Sequence, residues 1–159
     1  MSRTAEPCLT QCDLCGLWYM ANHREDEGVH RRSCGWWVAA VNALGHKPDR
    51  GHEREAAKER GHDLLREADS QRRVLGAELV LRAWFDRSLV AAINEDYWRA
   101  HPTLPQYTAM MDLEGYFPED VVAALRARVG RRTPGIANGA SYWWLPVASR
   151  RRTPPTAQV

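Results

Sequence analysis

The sequence predicts a mainly α-helical protein, with a small knuckle-and-helix module at its N-terminus packed on a helical domain and an extended arm at its C-terminus. Three observations predict it. Cys12, Cys15, His30 and Cys34 stand at Cys-x2-Cys and His-x3-Cys spacing inside one short segment. Apolar residues between Val74 and Trp98 recur at helical period. Beyond Gly130 the chain carries too much Gly and Pro for a helix. These divide the chain into residues 1–45, 52–130 and 131–159.

Taken in order, residues 1–11 read as a loose lead-in in which Pro7 limits regular structure. Trp18–Met20 suit a short strand, and Asn22 offers an N-cap to a helix with Glu25, Asp26 and Glu27 in its first turn. That helix should run past Cys34, because Trp37, Val38, Val41 and Leu44 continue the face of His30 and Cys34 until Gly45 ends it. HKPDRG at 46–51 reads as a linker. A charged helix follows, from about Glu53 to Arg73, with a thin stripe of Ala57, Gly61, Leu64, Ala68 and Leu75 that suits contact with one partner.

Val74–Trp98 is the expected core helix. Ala77, Val80, Leu81, Trp84, Ser88 and Ala92 share one side with Phe85, Leu89 and Ile93 beside them, while Glu78, Arg82 and Asp86 form an i,i+4 charge series placed outside. The His101-Pro102 pair stops it, leaving His101 to face the terminal carbonyls. A short helix is expected over Leu104–Leu113 and a clearer one over Pro118–Val129. In the latter Val121, Val122, Leu125 and Val129 turn inward, and Arg126 and Arg128 outward. Ala140–Val147 reads as an extended arm and Thr153–Val159 as a disordered tail.

The cysteine segment carries the sharpest chemistry. A Cys-x2-Cys pair folds into a tight knuckle whose sulfurs converge, and Gly16 lets the backbone turn. A His and a Cys at i and i+4 share one helix face, so both reach an ion held by the knuckle. Four such ligands with no vacancy describe a closed tetrahedral zinc site of Cys12, Cys15, His30 and Cys34. Cys8 and His23 are alternative ligands. Cys8, Cys12 and Cys15 also read C-x3-C-x2-C, the iron–sulfur signature of radical S-adenosylmethionine enzymes, but a chain of 159 residues is too short for the barrel those enzymes need.

With those residues in view, the segment resembles a C2H2-type zinc finger in its C2HC variant. The opening Cys12-x2-Cys15-Gly16-Leu17-x-Tyr19 and the run Asp26-Glu27-x-x-His30 are similar to the finger that precedes the catalytic domain of cohesin acetyltransferases. The spacing between Tyr19 and His30 is longer than usual and Cys34 stands where a second His is expected. The resemblance covers about a sixth of the chain. It implies a zinc module; the loop that cradles acetyl-coenzyme A in acetyltransferases has no counterpart here.

Composition narrows the function classes. Of 22 basic residues seven follow residue 100, and no acidic residue follows Asp120, so the C-terminal quarter is cationic although the net charge is +2. Clustered cysteines, no apolar run of membrane-spanning length and no hydrophobic leader lead to the expectation of an intracellular, cytoplasmic protein that does not enter membranes. No nucleotide-binding loop, nucleophile elbow or metalloprotease helix motif is found, so no catalytic residue is assigned.

Arginines neutralise phosphates while aromatic faces stack on bases. The leading expectation is therefore nucleic-acid binding, DNA or RNA, through Arg126, Arg128, Arg131, Arg132, Tyr142, Trp143, Trp144, Arg150, Arg151 and Arg152. Arg31 and Arg32, between His30 and Cys34, would add phosphate contacts. The alternative is an adaptor whose finger and Trp-rich surfaces recognise a protein partner, and a more distant one is a divergent zinc-supported enzyme.

Overall fold

The computed structural model describes residues 8–130, so the expected C-terminal arm, with Arg131, Arg132, Tyr142, Trp143, Trp144, Arg150, Arg151 and Arg152, lies outside the described residues. Strands β1 (Cys8–Gln11) and β2 (Trp18–Ala21) pair antiparallel, with Leu9 opposite Met20 and Gln11 opposite Trp18. Helices follow: α1 (Arg24–Leu44), α2 (Gly51–Leu65), α3 (Ser70–Asn94), α4 (Leu104–Met110) and α5 (Glu119–Gly130), with a 3-10 turn at Trp98–Ala100. The chain is thus mainly helical behind one small hairpin.

The end of the expected loose lead-in is β1. Cys8–Gln11 have a partner strand that one-dimensional reading does not supply. The N-cap of α1 falls one residue later than expected. Asn22 takes a left-handed turn at φ 69°, His23 is the N-cap, and Asp26 and Glu27 reach back to accept from the backbone N–H groups of Met20 and Asn22. Those first-turn acids therefore fasten the hairpin to the helix. At the other end Gly45, at φ 70°, donates to the Val41 carbonyl and stops α1 where expected.

The boundary between the two central helices differs from expectation. Residues 66–69 break the chain, and the Asp69 side chain caps α3 by accepting from the N–H groups of Gln71 and Arg72 at 2.8 and 3.0 Å. An N-cap of this kind stabilises a helix by about 1 kcal/mol, enough to move the boundary out of an otherwise continuous charged pattern. α2 and α3 then lie against each other as a helical hairpin, meeting at Gly61 and Gly76. A Cβ on Gly76 would stand 2.5 Å from the Gly61 carbonyl oxygen, so at this crossing only glycine lets the backbones approach so closely. Of the expected stripe, Gly61 and Leu64 are buried, whereas Ala68 and Leu75 are exposed.

The core is one cluster that runs from Cys15 and Trp37 through Leu81, Phe85, Leu89, Ile93 and Trp98 to Leu125 and Val129. Full burial of each large side chain contributes roughly 1.5–3 kcal/mol before entropy. Two of the three expected outer charges of α3, Glu78 and Asp86, are inside, whereas Arg82 is partly buried. Glu78 is buried between Arg82 of its own helix and Arg128 of α5, and Asp86 is buried and accepts from the Asp49 N–H at 3.3 Å. Neighbouring elements cover that face, which local periodicity could not reveal. His101, expected at a helix end, is also buried: its ring meets Ser88 at 2.9 Å and the Pro102 carbonyl at 3.0 Å.

Candidate metal centre

The loop between β1 and β2 is built for convergence. Cys12 donates from its N–H to the Leu17 carbonyl and accepts from Gly16 at 2.8 Å, and Gly16 sits at φ 74°, where a side chain would be strained. This knuckle holds the Cys12 and Cys15 sulfurs near each other. Helix α1 brings the other two groups, His30 and Cys34, one turn apart on one face.

One ligand atom from each of Cys12, Cys15, His30 and Cys34 lies within 4.8 Å of every other. The Cys12 and Cys34 sulfurs are 3.9 Å apart. A disulfide needs about 2.05 Å, whereas two sulfurs at opposite ends of a tetrahedral edge around a zinc ion, each ~2.3 Å from it, stand about 3.8 Å apart. The distance matches the metal geometry. Nε2 of His30 is buried and makes no hydrogen bond of ordinary geometry, a costly arrangement for a polar atom unless something accepts its lone pair. Tyr19 stacks on the ring at 4.0 Å with planes 7° apart and fixes its orientation.

The thiols are electrostatically unequal. Burial pushes the Cys12 thiol up, but the N–H groups of Cys15 and Leu14 and the His30 ring outweigh it and bring it down to about 6. Burial raises Cys34 to about 11, reinforced by the charge and hydrogen bonding of Cys12, and burial raises Cys15 as well. One thiolate forms readily and opposes the next two; a cation at the centre removes that opposition.

The alternative ligands stay outside. Cys8 is an exposed strand residue, and His23 pairs with Asp26 at 3.2 Å. Reading the chain residue by residue did not identify the support from 46–51. Lys47 Nζ and Arg50 Nη2 both donate to the Asp13 carbonyl in the knuckle, at 2.9 and 2.6 Å, and the Arg50 guanidinium lies 5.1 Å over the Trp37 ring. Trp37 in turn donates to Asn94 Oδ1 at 2.8 Å. The supposed linker thus ties the knuckle through Trp37 to the end of α3. Two basic residues after a helix-ending glycine were its visible trace.

The proposed nucleic-acid residues divide. Arg31 and Arg32 are exposed on α1. Arg126 is held by both oxygens of Glu114, at 3.0 and 2.9 Å, and Arg128 by the buried Glu78. Comparison with protein-family models, curated proteins and solved structures found no match. No helix among the described residues is long and apolar enough to cross a membrane.

Proposed function

We propose that this chain is a zinc-binding protein whose ion is structural, fastening the hairpin to α1. The observation that carries this reading is the convergence of three sulfurs and one ring nitrogen of His30 within 4.8 Å, together with the unsatisfied Nε2 of that ring. Three thiolates and one imidazole select zinc over hard cations, and four protein ligands leave no position for substrate. Such a centre carries a net charge of about −1 once the thiols ionise, which Lys47 and Arg50 beside the knuckle offset. Elemental analysis of purified protein should give one zinc per chain, and Cys12→Ser or Cys15→Ser should abolish it. Metal-free protein with an ordered hairpin would reject the proposal.

The braced protein is read as a nucleic-acid binder, with Arg31 and Arg32 as its described phosphate contacts. What supports this is that both are exposed with no carboxylate partner among the described residues. Affinity for DNA or RNA should fall steeply with salt, and the double change Arg31→Gln, Arg32→Gln should flatten that slope by about 1–2. A partner-protein adaptor is the competing reading, favoured by the exposed hairpin face of Leu9, Trp18 and Met20. Salt-insensitive or absent binding to either nucleic acid would decide for the adaptor.

A further inference from the structure

Away from the cysteines, α3 and the segment 107–116 line an open cleft of about 430 Å³, within the size range of small-molecule pockets. Its walls are Trp84, Tyr107, Met111 and Tyr116, and Arg87 is the one cation among its described lining residues. The aromatic wall is preformed. Trp84 packs on Phe117 at 5.7 Å and meets Tyr116 edge-on at 4.9 Å, although Tyr116 is 65% exposed. Two large rings held against each other at a surface present flat apolar area that water solvates poorly.

The polar groups are asymmetric. Ser88, on the lining, meets Nε2 of His101 at 2.9 Å, and Nδ1 of that ring meets the Pro102 carbonyl, which can only accept. Because Nδ1 must donate there, a neutral ring would accept the Ser88 hydrogen at Nε2. Arg87 is exposed and makes no close ion pair among the described residues, although the Glu55 carboxyl, held down chiefly by Lys58, also feels its charge. Every other basic residue of α3 has an acidic partner: Arg72 with Glu67, Arg73 with Asp120, Arg82 with Glu78. An aromatic cleft with one guanidinium outside any close ion pair at its edge is complementary to a flat ring bearing a negative charge.

We infer that this cleft is a binding site for small aromatic carboxylates, with the ring against Trp84 and Tyr116 and the carboxylate on Arg87. The site is separate from the cysteine cluster and does not depend on the metal reading. The probes are 3-phenylpropionate, its neutral amide and propionate, titrated into the isotope-labelled full chain and followed by NMR. 3-Phenylpropionate should shift the Trp84 indole N–H signal, assigned with Trp84→Phe, and the amide should bind about ten-fold more weakly. Propionate should not bind. Arg87→Gln, an exposed change, should make acid and amide equal, and Tyr116→Ala should weaken both. Equal binding of acid and amide by the native chain would overturn the inference. So would a difference that survives Arg87→Gln, or no shift of the Trp84 signal up to the solubility limit of the acid.

Discussion

The hairpin of β1 and β2 turns Leu9 and Trp18 to solvent, 63% and 57% exposed, and of its knuckle only Cys15 is buried in the core. α2 and α3, by contrast, meet backbone to backbone at Gly61 and Gly76, and α3 carries more buried side chains than any other described helix. Both regions solve the same problem, holding two segments of main chain against each other. The helices do it with shape, because two long surfaces exclude water once no side chain intervenes. A hairpin of two four-residue strands has too little surface for that, since an isolated hairpin is marginal in water. Its fixation falls to point contacts: four candidate ligands, two reaching acids on α1, and two cations on one carbonyl.

The largest effect should come from removing the proposed zinc. Binding of a structural zinc is worth an apparent ~10–16 kcal/mol at neutral pH, and where the site is absent from the unfolded chain that energy is folding energy. Chelation should therefore release residues 8–23 while α3 and α5 keep their packing. Hydrogen exchange should show hairpin amides approaching coil rates, with most helical circular dichroism retained. Loss of all helical signal together with the zinc would break the comparison, by making both regions one cooperative unit through Trp37 and Asn94.

What sequence reading could see follows the same division. The cluster of Cys12, Cys15, His30 and Cys34 was legible because its geometry is local: Cys12 and Cys15 share a knuckle, His30 and Cys34 share a helix turn, and each pair is set by spacing alone. α1 and its Gly45 stop were legible for the same reason. Glu78 and Asp86 were not, since what buries them is α5 and the segment before α2, remote in sequence. The break at 66–69 carried a signal in the Asp69-Ser70 pair, overridden by a charged pattern that continues on both sides. Gly61 belongs to a thin stripe visible in the sequence; that Gly76 stands opposite is a tertiary fact.

A smaller effect tests the shape-held region. Gly76→Ala would place a methyl 2.5 Å from the Gly61 oxygen and 2.9 Å from the Leu65 nitrogen, backbone atoms that cannot rotate aside. Overpacking costs typically ~1–3 kcal/mol, against ~1 kcal/mol of improved helix propensity. The net should be destabilising, with a thermal midpoint lower by several degrees and zinc content unchanged. An unchanged or raised midpoint would mean that α2 and α3 are free to separate, and the contrast between the regions would lose one side.

The smallest effect has the opposite sign and sits in the point-held region. Gly35 lies inside α1 beside Cys34, and a Cβ there meets nothing within 4 Å. A helix-interior glycine costs roughly 0.5–1 kcal/mol relative to alanine because the unfolded chain loses more freedom on ordering. Gly35→Ala should therefore raise stability by about that amount, where Gly76→Ala, the same substitution in α3, lowers it. Because α1 carries His30 and Cys34, the gain should also appear as slower zinc release to a chelator, by about two- to five-fold if the helix must fray for the ion to leave. A higher thermal midpoint with no change in release rate would instead place the opening step in the knuckle, where Gly16 and the Asp13 carbonyl, and not the helix, set how tightly the centre is closed.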